Sequence, residues 1–490
     1  MKIKIIVSLL LVITSSLTIQ AQQRIIINKP EGPNTNIIQP LPNFNGMEPK
    51  IDKLLRKYMD LNLFSGVVVV AKEGEPIYNK AFGQADIEAH IPVNTETRFD
   101  IGSMNKAFTK AIVLSLIYEG KLNLNDNLGK YLIDFPEIAA KKVTIEQLIN
   151  HTSGFGDYHI PEYERLPASE KTIENILKIA RSQDLLFTPG TNNSYSNIGY
   201  VLLGAIIEKV EKKPYNTVVK KRILTPLRLN NTFLDNKYRV SNRAVGYNNS
   251  VLGALKNTDY LQIKPTPAGS FMASSSDLLK FFHAYYYGEK LWKTGAKALD
   301  TKESKYLKEI ESSGGAAMIA GGFPGVNTVN LEILRDGFSV LVLANRNPPS
   351  AIEVGIGVLE IIRGKEPMEP EIPVTQILAK AYFDKGKDYV KKNFNAITQN
   401  MSMRTPKEDL LNQIGYSLLQ SGTKDNLKNA IGIFLLNTEL FPDVANTWDS
   451  YGEALLIEGD KSGALKAYEK ALSLDPSLKS SIKAVHKLIN

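Results

Sequence analysis

Phe99-Asp100-Ile101-Gly102-Ser103-Met104-Asn105-Lys106-Ala107-Phe108-Thr109-Lys110 holds the densest chemical pattern of the 490-residue chain. Beyond Lys106 an apolar stripe of Ala107, Ile112, Val113, Leu116 and Ile117 predicts a helix ending near Gly120. Ser103 then stands at the N-terminus of that helix, where the helix dipole favours a developing alkoxide. A serine and a lysine three residues apart share one helical face, so the amine reaches the hydroxyl. A desolvated lysine loses proton affinity and becomes a base. The bland alternative is an N-cap serine beside an exposed lysine. The same spacing recurs at Ser421 and Lys424 and at Ser480 and Lys483, both in polar surroundings that read as solvated surface.

Downstream, Pro189-Gly190-Thr191-Asn192-Asn193-Ser194-Tyr195-Ser196-Asn197-Ile198-Gly199-Tyr200 leads into the apolar run Val201 to Ile207. A Tyr and an Asn two apart before a helix can enter one cleft. Tyr195 can move protons there, and Asn197 can bind an amide or carbonyl. A second Tyr-x-Asn, Tyr247 to Asn249, lies in a polar turn and reads as structural. Between the two motifs stands Leu148-Ile149-Asn150-His151-Thr152-Ser153-Gly154.

On Ser103-Met104-Asn105-Lys106, Tyr195-Ser196-Asn197 and that third stretch, the chain resembles the serine β-lactamase, D-alanyl-D-alanine carboxypeptidase and esterase superfamily. The likeness is to its class C-like, penicillin-binding-protein-like side. Tyr118-Glu119-Gly120-Lys121-Leu122 and Pro267-Ala268-Gly269-Ser270 support it, and it spans about residues 50–362. The resemblance implies an α+β fold, an α/β sandwich whose antiparallel sheet is flanked by helices, with a helical subdomain and a cleft between. It implies an acyl-enzyme on Ser103, with Lys106 and Tyr195 sharing the base and acid work in an order the sequence leaves open. Asn197 would hold the acyl side of a small-molecule or peptide substrate. The Ser103 N–H and one from an edge strand would form the oxyanion hole. No metal or organic cofactor is implied. His151 is expected to shape a turn beside the site, because no third group is evident to orient it as a base. Neither Gly-x-Ser-x-Gly nor His-Glu-x-x-His occurs.

The third family motif, Lys-Thr-Gly or His-x-Gly, is altered. The matching stretch reads Met318-Ile319-Ala320-Gly321-Gly322-Phe323-Pro324-Gly325. Gly321 and Gly322 still permit close backbone approach, and the Gly322 N–H is the candidate second oxyanion donor. Ile319 stands where the family carries a cation or imidazole, and offers neither charge nor hydrogen bond. That shifts the expectation from carboxylate-bearing β-lactams and D-Ala-D-Ala peptides toward neutral esters and amides. The alternative it leaves open is a weak or inactive member serving as a ligand-binding or scaffold protein. Lys302 to Gly315, just upstream, is short and polar for the strand usual at this place.

The remainder sets the frame. Hydrophobic residues make up 43% and charged residues 22%, an ordinary globular balance for a chain long enough for more than one domain. Cysteine is absent, which excludes disulfides and thiolate chemistry. The formal charge of +8, or +6 once Lys2 and Lys4 are set aside, is too small to argue for nucleic acid. Met1-Lys2-Ile3-Lys4, the apolar run Ile5 to Ile13 and Ala21 before Gln22 fit a signal peptide over residues 1–21. The expectation is an exported protein, periplasmic or secreted, of bacterial type, with no integral membrane segment after signal removal. A Pro- and Asn-rich linker over 22–47 precedes the hydrolase domain at 48–365. A connector and helix follow over 366–400, beginning with the Pro-rich run Pro367 to Pro373. In the last segment, 401–490, Trp448, Gly452, Ala464, Tyr468, Ala471 and Pro476 sit at tetratricopeptide offsets. Gly415, Leu418, Gly422, Ala430, Phe434 and Pro442 echo them, with helices near 375–397 and 479–489 expected as caps. Such a module would bind a protein partner.

Overall fold

The run Val67-Val68-Val69-Val70 is buried on both faces, and this fixes the layering of the first unit. Successive side chains of a strand point to opposite faces. Val67 and Val69 accordingly join one apolar core, whereas Val68 and Val70 join a second. Each such valine contributes roughly 1.5–3 kcal/mol of burial. A strand apolar on both sides needs a helical layer on each.

The computed structural model describes Phe44 and residues 46–489, apart from 236, 262–263, 289–290, 292–300, 400–405 and 421–422. The expected signal peptide and nearly all of the expected linker lie outside the described residues. The described residues fall into two compact units, one of residues 44–248 and 257–370, the other of 249–256 and 371–489.

In the first unit α1 (Glu48–Asp60) leads to β1 (Gly66–Lys72) and β2 (Glu75–Phe82). Glu73 and Gly74 join these strands at φ 53° and 83°, the left-handed pair a tight hairpin requires. The helices α2 (Lys106–Tyr118), α3 (Asn197–Glu211), α4 (Ser275–Tyr287) and α5 (Lys302–Ser313) follow, among shorter elements. The chain then returns through β3 (Ala317–Phe323), β4 (Val326–Ile333) and β5 (Phe338–Ala344) to α6 (Ser350–Ile362). The sheet order is β3-β4-β5-β1-β2, with every neighbour antiparallel. Ile51, Leu54 and Leu55 of α1 and Val354 and Val358 of α6 fill one face. Ala107, Phe108 and Ala111 of α2 and the helical subdomain fill the other. Phe108 stacks on Phe281 of α4 at 3.8 Å between centroids. This is the antiparallel α/β sandwich expected.

The polar segment before β3 is a helix rather than a strand. Thr301 caps α5 by accepting the Ser304 N–H at 3.1 Å, and Gly314 ends it at φ 67°. Ser304, Leu307 and Ile310 are its buried residues, a helical spacing.

The second unit contains α7 (Val374–Lys385), α8 (Lys387–Ile397), α9 (Lys407–Gln420), α10 (Lys424–Leu440), α11 (Ala445–Glu458), α12 (Lys461–Leu474) and α13 (Lys479–Ile489). A Cβ on Gly415 would lie 2.5 Å from the Phe434 ring, and one on Gly452 3.1 Å from the Tyr468 ring. Each pair therefore brings two helices together across a glycine with an aromatic ring in the gap. Gly422, part of the upstream pattern, lies outside the described residues. Among the described residues no helix is long and apolar enough to cross a membrane.

Candidate active site

Gly102–Asn105 is a 3-10 turn that runs into α2, so Ser103 sits on the turn itself. Neighbouring backbone holds that turn. Ile101 N–H donates to Phe271 O at 2.9 Å, and Ser270 N–H donates to Gly102 O at 3.2 Å. Gly102 has φ 51°, a conformation that favours glycine. Ser103 does not cap the helix. Its Oγ instead accepts from Tyr195 OH at 2.6 Å and meets Lys106 Nζ at 3.0 Å.

Lys106 is buried, and its amine has two further partners, Asn197 Oδ1 at 2.7 Å and Ala268 O at 2.6 Å. Burial pushes its proton affinity down to about 7, against an opposing pull from the Asp157 carboxylate. A neutral amine has two N–H bonds and one lone pair. Asn197 Oδ1 and Ala268 O are both pure acceptors and take the two N–H groups. The lone pair is then left for the Ser103 hydroxyl. Burial raises the Tyr195 phenol well above its ordinary range, so it faces Ser103 as a proton donor.

Tyr195 and Asn197 are set by the start of α3. Ser196 Oγ accepts the Gly199 N–H at 2.9 Å and donates to Gly156 O at 2.8 Å. His151 Nδ1 accepts the Ser196 N–H at 3.1 Å, and its ring stacks on Tyr195 at 4.6 Å. Burial pushes the His151 imidazole down to about 3, so it is neutral and acts as a prop for the tyrosine. Ser153 is buried in the adjoining turn and accepts the Phe155 N–H.

The edge strand β3 closes the other side. A Cβ on Gly321 would lie 2.1 Å from Ile101 O and 2.9 Å from Ser103 N. A Cβ on Gly102 would lie 2.8 Å from Gly322 N. The two backbones thus approach so closely that only glycine fits. Ile319, two residues before Gly321 on the same face, is half-buried against the core of the helical side. The structure therefore brings Ser103, Lys106, Tyr195 and Asn197 into one hydrogen-bonded network and lays Gly321 and Gly322 beside it.

Sequence reasoning did not single out Asp157 or the Ala268 carbonyl. Asp157 Oδ2 accepts from Asn197 Nδ2 at 2.6 Å. Its signal was its place three residues beyond His151-Thr152-Ser153-Gly154, and Ala268 lay within the supporting Pro267-Ala268-Gly269-Ser270 stretch. Ser480 and Lys483 are exposed, Ser421 lies outside the described residues, and Tyr247 OH accepts the Ile87 N–H at 2.8 Å. No cluster able to hold a metal ion occurs among the described residues.

The fold and this network are those of a domain of the serine beta-lactamase type. The beta-lactamase family matches residues 51–353, well over half of the chain, and the chain belongs to that family. It is 27% identical over 321 residues to penicillin-binding protein 4* of Bacillus subtilis, covering 60% of this chain and 70% of that protein. It is 28% identical over 239 residues to protein flp of Staphylococcus aureus, covering 48% of each. The chain thus spans about half the length of that relative. Among solved structures, the octameric penicillin-binding protein homologue from Pyrococcus abyssi shares the fold with TM-score 0.56 and 24% identity, covering 68% of this chain and 81% of that one.

Proposed function

We propose that this chain is an exported serine hydrolase that opens esters or amides through an acyl-enzyme on Ser103. The observation that carries this reading is the convergence of Lys106 Nζ and Tyr195 OH on Ser103 Oγ, at 3.0 and 2.6 Å. The Ser103 proton passes to neutral Lys106 as Oγ bonds to the acyl carbon. The Ser103 and Gly322 N–H groups receive the oxyanion. Tyr195 protonates the departing alcohol or amine as the acyl bond breaks, and the proton that Lys106 took from Ser103 then passes to the tyrosinate. Water then releases the acid by the reverse use of the same groups. Asn197 faces the acyl side of a small-molecule or peptide substrate. Labelling with a fluorophosphonate, followed by peptide mapping, tests the reading.

Ile319 sets specificity in this scheme. Short p-nitrophenyl esters should be turned over better than nitrocefin or penicillins. Ile319→His or Ile319→Lys should improve relative use of carboxylate-bearing substrates by about tenfold or more, the worth of one hydrogen bond to a charged group. Efficient nitrocefin hydrolysis by the wild type, with simple esters ignored, would overturn this assignment. The alternative of an inactive binding protein has only Ile319 in its favour, against an intact Ser103, Lys106, Tyr195 and Asn197.

The tail is proposed to be a tetratricopeptide module that binds a protein partner rather than a second catalytic unit. The Gly415/Phe434 and Gly452/Tyr468 pairs support it. Truncation after Lys365 should then leave turnover of small esters nearly unchanged. An insoluble product, or activity lower by about an order of magnitude, would remove the idea of an independent module.

A further inference from the structure

We propose that Asp157 is a positioning residue of the catalytic network, orienting the Asn197 amide against Lys106 and placing a carboxylate beside that pair. The inference rests on the hydrolase reading above and deepens it.

Asp157 is itself held in place. Oδ1 accepts the His159 N–H at 3.0 Å while Oδ2 accepts from Asn197 Nδ2 at 2.6 Å. An ionised carboxylate only accepts hydrogen bonds. Asn197 must therefore turn its NH2 toward Asp157, which leaves its oxygen for Lys106 Nζ at 2.7 Å. With the amide reversed, a donor would face the lysine, and the arrangement that aims the amine lone pair at Ser103 would be lost. The order Asp157, Asn197, Lys106, Ser103 is thus one chain of fixed donors and acceptors.

The second part is electrostatic. Lys106 is surrounded by Ser103 on its own turn, Asn197 and Tyr200 of α3, Tyr195 before it, and His151, Asp157 and His159 of the preceding loop. Asp157 is the acidic neighbour that favours the ammonium form, opposing the burial that disfavours it. His151 carries no charge near neutrality. His159 donates to or accepts from Glu164 at 2.7 Å, and both Asp157 and Glu164 favour its cationic form.

The test is a titration of full-length protein carrying 13Cε-lysine, the Lys106 signal being assigned by its loss in Lys106→Arg. In Asp157→Asn the Lys106 midpoint should fall by about half a pH unit or more, and in Asp157→Glu it should return toward the wild-type value. The acidic limb of kcat/KM on a p-nitrophenyl ester should move the same way, with a lower plateau. Should Asp157→Asn not fold, Asp157→Ser removes the charge while keeping a hydroxyl acceptor, and the same fall is expected. An unmoved midpoint in a folded, charge-free variant overturns the proposal, whatever its activity. A Lys106 midpoint that moves in a protein that never labels at Ser103 would instead overturn the hydrolase reading and leave the Asp157 assignment standing.

Discussion

Ser103→Ala is expected to abolish covalent labelling by a fluorophosphonate, and Lys106→Ala to slow it by about 10²–10⁴, the usual worth of acid–base catalysis. Ser103 Oγ is the oxygen on which both Tyr195 OH and Lys106 Nζ converge. Neighbouring serines are already committed, Ser196 as the cap of α3 and Ser153 within a buried turn. A label mapped to either would sink the assignment. The pH dependence should carry the same signature. Lys106 titrates near 7 because of burial, and only its neutral form accepts the Ser103 proton. Acylation should therefore be weak at low pH, rise through about 7, and level off above it. Tyr195, held protonated by burial, should impose no alkaline limb in the neutral to mildly basic range. Rate measurements from acid to mildly alkaline pH decide this, and a rate that falls as pH rises through 7 would contradict a neutral-lysine base.

Gly321→Ala is expected to lower kcat by about 10²–10³ while leaving most of the fold in place, as loss of one oxyanion donor does elsewhere. The added methyl would sit 2.1 Å from Ile101 O and 2.7 Å from Met104 N. Both are backbone atoms tied into the Ser103 turn, so no flexible side chain can yield. Either β3 moves outward or the turn moves away from it. Both movements separate the Gly322 and Ser103 N–H groups from a common oxyanion. Because β3 is an edge strand with β4 as its sheet partner, the strain should cost about 1–3 kcal/mol, as overpacking usually does. Steady-state kinetics beside thermal unfolding separate the two effects. A folded Gly321→Ala enzyme with wild-type kcat would mean that the backbone of β3 takes no part in the reaction.

Much of the site was legible because its parts are local. Ser103 and Lys106 are one helical turn apart, and Tyr195 and Asn197 flank a serine cap, so spacing alone aligns each pair. His151 read as structural for want of an orienting partner, and it props Tyr195 by stacking and by accepting the Ser196 N–H. The sandwich was expected from the family resemblance, and the strand with Val67 and Val69 in one core and Val68 and Val70 in the other supplies its physical reason. The segment Lys302 to Gly315 was harder, since its helix is marked only by the Thr301 cap and the Ser304, Leu307, Ile310 spacing.

By itself the sequence determined which residues to expect together at the candidate site, how each local pair is spaced, and that a helical tail follows. Short-range periodicity and capping carry that information. The tertiary structure alone decided that Lys106 is dry enough to titrate near 7, that the Ala268 carbonyl and Asn197 amide take its two N–H groups, and that Asp157 holds that amide. Residues 106, 157, 197 and 268 lie far apart along the chain, and desolvation and hydrogen-bond direction arise only when packing brings Lys106 within about 3 Å of Asn197 and Ala268, and Asn197 within about 3 Å of Asp157.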